Sequence, residues 1–190
     1  MQRSLIMTIC RTRAQQTIFL LLLGLFVQGC RQNKNPMATY YEFDRSPGKG
    51  WRELSDKGRF LEAARLIDHF IKDHPDLPVF TVKMLYLHAG QVYAFAGDNA
   101  HALERLRSSL YSEDIFPPWN PGVQATIAFL NQDMAQLQYW RKTTAEGPLV
   151  DGKPPNTAYV DQLIKDFGKA YRDIDPTSFG GTRLPPSQVP

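Results

Sequence analysis

The sequence contains little cysteine. Its two cysteines are Cys10 and Cys30, and no thiol follows position 30. A disulfide and a thiolate metal site both need thiols in the folded domain, so the chain after Cys30 has neither. The fold of that part must therefore rest on non-covalent packing.

Most of the chain also has no excess of positive or negative charge. Lysine and arginine together number 22 against 19 acidic residues, which gives a formal net charge of +3. The first thirty residues account for this difference, because they hold Arg3, Arg11 and Arg13 and no acidic residue. The remainder is formally neutral. This argues against a nucleic-acid partner, which binds a basic surface.

A run of apolar residues long enough to cross a membrane is missing as well. The longest run, Ile18 to Val27, covers about ten residues, whereas a membrane-spanning helix needs about twenty. It follows the three arginines, and positive charge before a short apolar run is the pattern of an export signal. We therefore expect a signal peptide over residues 1–29.

The residues that end the apolar run, Val27-Gln28-Gly29-Cys30, resemble the lipobox of bacterial lipoproteins. The resemblance implies cleavage before Cys30, diacylglycerol on its sulfur and an acyl chain on its new amino group, with no other cofactor. The family often has an aspartate after the cysteine when the protein stays at the inner membrane. Arg31 at this position implies an outer-membrane anchor facing the periplasm. An ordinary signal peptide, or a short membrane helix with an incidental cysteine, is the alternative.

The chain after Cys30 changes from polar to helical character. The stretch from Arg31 to about Asp44 is polar with an aromatic end, Tyr40 to Phe43, and predicts a tether followed by a docking segment. The expected organisation is a signal peptide over residues 1–29, a lipidated tether over 30–45, a helical domain over 46–175 and a disordered tail over 176–190.

Apolar residues in this domain recur every three to four positions, which is the spacing of one face of an α-helix. Glycine and proline separate the periodic segments. Ser46, Asp133 with Gln136, and Asn156 are predicted to cap helices. We expect an all-α domain of about seven helices arranged as helix-turn-helix hairpins, over residues 46–57, 60–73, 79–96, 100–111, 120–131, 133–146 and 156–174.

Two of these hairpins share a pattern around Gly58 and Gly97, which are 39 positions apart. The pattern resembles a tetratricopeptide repeat, whose period is about 34 residues. The resemblance covers about Pro47 to Glu146, and a helical bundle without repeat geometry is the alternative. The unit around Gly97 gives the fullest match, with small and bulky residues at the family's positions in Tyr86, Ala89, Gly90, Tyr93, Ala102 and Leu106.

In the tetratricopeptide family the first helix of each hairpin lines a concave groove. The resemblance therefore implies a peptide-binding surface on the helix over residues 79–96. Core packing is the alternative for the apolar members of this set. The implied groove residues are Met84, Leu87, His88, Gln91 and Phe95.

A second candidate surface is the aromatic run Phe116 to Trp119, which stands in a loop made rigid by proline. Exposed aromatic rings in such loops often anchor interfaces. Packing of the same loop against the core is the alternative.

Recognisable catalytic or metal-binding patterns are missing from the sequence. His69 and His74 lie about 140° apart around a helix, so they cannot face one metal ion together. Asp68, Asp73 and Asp76 surround a helix end and indicate a solvated surface. We expect no catalytic residue and no metal site.

These observations predict a lipid-anchored envelope adaptor or scaffold that binds another envelope protein or peptide through its hairpins and is not an enzyme. An immunity-type lipoprotein that neutralises a toxin is one alternative. A hydrolase of unrecognised design on the same anchor is another.

Overall fold

The computed structural model describes residues 36–112, 119–149, 152 and 156–174. The described residues form helices and turns without a β-strand, which confirms the predicted all-α class. Cys30, the signal peptide and the tail over residues 176–190 lie outside the described residues. None of the helices in the described ranges is long and apolar enough to cross a membrane.

Seven of the described helices have seven residues or more, in agreement with the predicted number, and a short helix precedes them. This first helix, α1, continues into a π-helical turn over Tyr41–Arg45, and a 3-10 turn over Tyr171–Asp173 follows the last helix. The α-helices are α1 (Pro36–Tyr40), α2 (Gly50–Asp56), α3 (Phe60–Asp73), α4 (Val79–Phe95), α5 (Asn99–Ser109), α6 (Trp119–Leu130), α7 (Met134–Glu146) and α8 (Thr157–Lys165).

The helices pair into three hairpins, α2 with α3, α4 with α5 and α6 with α7, and α8 packs on the third. The same turn geometry connects the two helices of each hairpin. Gly58, Gly97 and Gln132 hold its left-handed position with φ of +72°, +81° and +56°. In each turn the N–H of the next residue donates to the carbonyl oxygen five positions earlier at 2.9 Å, as in a Schellman motif. The third hairpin therefore keeps the turn of the other two without a glycine.

The second hairpin shows why small residues are needed between its helices. A Cβ atom added to Gly90 would lie 2.7 Å from Cγ of Leu106 and 3.1 Å from the carbonyl oxygen of Ala102. Leu106 and Ala102 are fully buried. Gly90 and Ala102, two of the small residues in the repeat pattern, therefore allow α4 and α5 to pack closely.

The folded part begins earlier than the sequence predicted. Residues 36–45, assigned to the tether, are helical, and Tyr40 and Asp44 are buried. The ring of Phe43 stacks on Phe70 of α3, with centroids 3.9 Å apart. The predicted docking of the aromatic end is therefore present, whereas the polar composition gave no sign that the acid at position 44 is buried together with its hydrogen-bond partners.

The first helix of the first hairpin begins at Gly50 rather than after Ser46. Gly50 has φ of +56°, and a Cβ atom there would overlap the carbonyl group of Phe43. Ser46 does not cap α2, since its hydroxyl donates to the carbonyl oxygen of Tyr41 at 3.3 Å. Contact with the preceding segment thus sets the start of this helix.

The predicted continuous helix over residues 156–174 is wrong. α8 ends at Lys165, and Gly168 with φ of +91° reverses the chain before the 3-10 turn. The predicted cap Asn156 has φ of +63° and makes no capping side-chain bond. The reversal brings the 3-10 turn against α4.

Candidate functional site

Two of the predicted sites lie wholly or mostly outside the described residues. They are the lipidation site Cys30 and the loop from Phe116, of which Trp119 alone is described. Trp119 is buried at the start of α6, and its Nε1 donates to the carbonyl oxygen of Ser109 at 3.0 Å. This ring therefore belongs to the packing of the domain and is not an exposed anchor.

The five predicted groove residues share one side of α4, since they recur at spacings of three and four along the helix. Their surroundings differ along its length. Towards the amino end, Met84 and Leu87 are partly exposed at the edge of the core. Towards the carboxyl end, His88, Gln91 and Phe95 contact other segments of the same chain.

The segment over residues 156–174 fills the carboxyl end of this side of α4. Gln91 hydrogen-bonds the hydroxyls of Tyr159 and Tyr171, which lie 3.0 Å from each other. Thr126 of α6 lies 2.7 Å from the Tyr159 hydroxyl. The ring of Tyr171 meets Phe95 edge-on, with centroids 5.0 Å apart. Burial raises the pKa of Tyr159 to about 12, so its phenol stays neutral and can take part in this hydrogen-bonded network.

The amino-terminal segment contacts the same side of α4 at His88. Asp44, at the end of the π-helical turn, is fully buried. Its Oδ1 accepts from Nε1 of Trp51 at 2.9 Å and lies 2.7 Å from Nδ1 of His88. Its backbone carbonyl oxygen accepts from Nε of Arg52. We call Asp44, Trp51 and His88 the buried acidic anchor. It joins the π-helical turn, α2 and α4.

Electrostatics favour the charged form of this acid. Burial alone would raise the pKa of Asp44, but the hydrogen bond and charge of His88 and the hydrogen bond from Trp51 lower it to about 2. The second oxygen, Oδ2, has no hydrogen-bond partner among the described residues, although Nε of Arg45 lies 3.5 Å away. Asp44 therefore acts as an ionised acceptor that fixes the amino-terminal segment.

Asp68, one of the acids considered in the sequence, and His101 are both paired with other groups. Asp68 accepts from the Tyr93 hydroxyl at 2.8 Å and from Nε of Arg105 at 2.7 Å. His101 pairs with Asp98 at the start of α5. Within the described ranges, no three His, Cys, Asp or Glu side chains are grouped to hold a metal ion.

Sequence reasoning missed Asp44, Tyr159 and Tyr171 as members of this site. Asp44 follows the aromatic cluster that was predicted to dock, and an acid beside buried rings indicates a paired charge. Tyr171 was expected within a continuous helix over residues 156–174, and Tyr159 was not singled out. The meeting of Tyr171 with Gln91 depends on the chain reversal at Gly168, where the sequence shows a glycine but does not predict which way the chain turns.

Comparison of the chain with protein-family models, with curated proteins and with solved structures gives no match in any of the three.

Proposed function

We propose that this chain is a lipid-anchored adaptor of the cell envelope that binds another envelope protein through its repeat-like hairpins. Lipid on Cys30 would hold the chain on the membrane, and binding would involve no covalent chemistry. The observation that carries the proposal is the buried acidic anchor. It joins the first described segment, residues 36–45, to α4, so the hairpins would be presented at the membrane as one packed unit.

The open part of the groove supports a binding role. Met84 and Leu87 remain partly exposed, whereas the chain's own segments contact the rest of the predicted surface. Two partly exposed apolar side chains, next to a part of α4 that the chain's own segments cover, favour a short apolar partner segment over an extended peptide. The formally neutral composition after Cys30 favours apolar recognition over charge attraction.

A site-specific photocrosslinking experiment tests this proposal. The photoreactive amino acid benzoylphenylalanine would replace Leu87 in the native, membrane-anchored protein. The matched control carries it at Tyr139, an exposed aromatic residue on α7. We expect one defined envelope protein to crosslink at position 87 and not at position 139, after irradiation of intact cells and mass spectrometry.

The partner is then purified and its affinity measured for the wild-type chain and for Leu87→Ser. A loss of at least about tenfold, the effect of removing about 1.4 kcal/mol of contact, supports the proposal. Equal crosslinking at both positions, or an unchanged affinity, contradicts binding at this surface. Membrane release of a Cys30→Ala variant tests the lipid anchor separately.

A further inference from the structure

Two neighbouring apolar side chains at the start of α4 are exposed to solvent. Val79 is 68% exposed and Phe80 is 48% exposed, whereas Leu85, Ala89 and Val92 further along the same helix are buried. The Phe80 ring is tilted against Trp119, with centroids 6.1 Å apart. We call Val79 and Phe80 the apolar corner.

The apolar corner lies beside the point where the described chain begins. The hydroxyl of Thr81, in the first turn of α4, donates to the sulfur of Met37 at 3.7 Å. Met37 follows Cys30 by seven positions, and a fully extended chain of that length spans at most about 25 Å. A lipid on Cys30 would therefore keep Met37, and the first turn of α4 beside it, within about 25 Å of the lipidated residue.

We propose that the apolar corner inserts into the interfacial region of the membrane that holds the lipid anchor. This inference rests on the lipidation of Cys30 in the proposed function and adds an orientation to it. Moving aromatic and branched apolar side chains from water into the headgroup region of a bilayer lowers the free energy. Two such residues are too few to bind a membrane alone, but a covalent lipid supplies the proximity that they need.

The charges near the apolar corner favour apolar insertion over attraction to anionic lipid. Asp76, three positions before Val79, is exposed. The amino group of Lys83, in the next turn, donates to the carbonyl oxygens of Ser108 and Leu110 at 2.7 Å. The contact should therefore form on zwitterionic lipid and resist salt, which screens electrostatic binding.

The absence of other thiols permits a direct test. The sulfur of a lipidated Cys30 is consumed, so Val79→Cys gives one reactive thiol and retains Phe80. The natively lipidated variant would carry an NBD fluorophore at this position in phosphatidylcholine vesicles. Nitroxide-labelled phosphatidylcholine quenches NBD at the interface. The matched control carries NBD on Tyr139→Cys, at a side chain that is 57% exposed on α7.

We expect quenching at position 79 to exceed quenching at position 139 by at least about twofold, and to persist at 1 M salt, where the Debye length is about 3 Å. Adding Phe80→Ser to the Val79→Cys variant should lower the quenching, and circular dichroism checks that its helices remain. Equal quenching at both positions in vesicle-bound protein overturns the insertion and leaves the lipid anchor standing. If NBD fluorescence at position 79 changes with the number of protein molecules per vesicle and is not quenched by nitroxide lipid, the apolar corner contacts a second copy of the chain. That result also overturns the insertion. Failure of the native protein to float with vesicles overturns the anchor and the insertion together.

Discussion

Removing the charge of Asp44 should lower the stability of the domain by a predictable amount. Asp44→Asn keeps the size of the side chain and an Oδ1 that can accept from Trp51 and His88. It loses the ionised form that these donors favour. The lowering of the Asp44 pKa from 3.8 to about 2 corresponds to about 2 kcal/mol. We expect Asp44→Asn to reduce the free energy of unfolding at pH 7 by about this amount.

The stabilisation by the Asp44 carboxylate should decrease as the pH falls. The pKa of Asp44 is lower in the folded chain than in the unfolded chain, so the unfolded state binds the proton first as the pH falls. Its contribution is therefore complete above about pH 4 and is lost as the pH falls towards 2. The free energies of wild type and Asp44→Asn should differ by about 2 kcal/mol at pH 6 and converge near pH 2.

Urea unfolding, followed by circular dichroism at several pH values, measures this difference. The mature chain with Cys30→Ser serves as the common background, so that lipid does not interfere. Asp44→Ala is the second variant. It leaves two buried donors without an acceptor and should cost more, about 3 to 5 kcal/mol. A difference between wild type and Asp44→Asn that stays constant from pH 6 to pH 2 would refute the role of the charge.

Three further predictions concern the turns, the helix approach and a buried tyrosine. Gln132→Gly should raise the free energy of unfolding by about 0.5 to 1 kcal/mol, because φ is +56° there, whereas Gly97→Ala should lower it; urea unfolding of both tests the shared turn. Gly90→Val should destabilise the domain by about 1 to 3 kcal/mol through overlap with α5, and an unchanged thermal midpoint would contradict this. Burial and the carboxylate of Asp68 raise the pKa of Tyr93 to about 12, so Asp68→Asn should lower that pKa in an ultraviolet titration.

The sequence determined the all-α class and most helix positions. Apolar periodicity set the faces of α3 to α7, and their predicted ends agree with the structure within about two residues. The small residues Gly90 and Ala102, which stand at small positions of the repeat pattern, lie where α4 and α5 pack closely. Asp133 was correctly predicted as a cap, since its side chain accepts from the N–H of Gln136 at 3.0 Å. Apolar faces and caps are local features, so one segment contains the information for each, and Gly90 and Ala102 belong to neighbouring helices of one hairpin.

The structure alone decided what covers the predicted groove. Asp44 precedes His88 by 44 positions, and Tyr171 follows Gln91 by 80. Nothing in the local pattern of either segment identifies the helix that it contacts. Folding places Trp51 and His88 around the Asp44 carboxylate. Their hydrogen bonds replace its hydration, and without them burying an ionised carboxylate would cost too much free energy. Tertiary packing therefore determined which part of α4 remains open, since the contacts that close the rest join residues far apart in sequence.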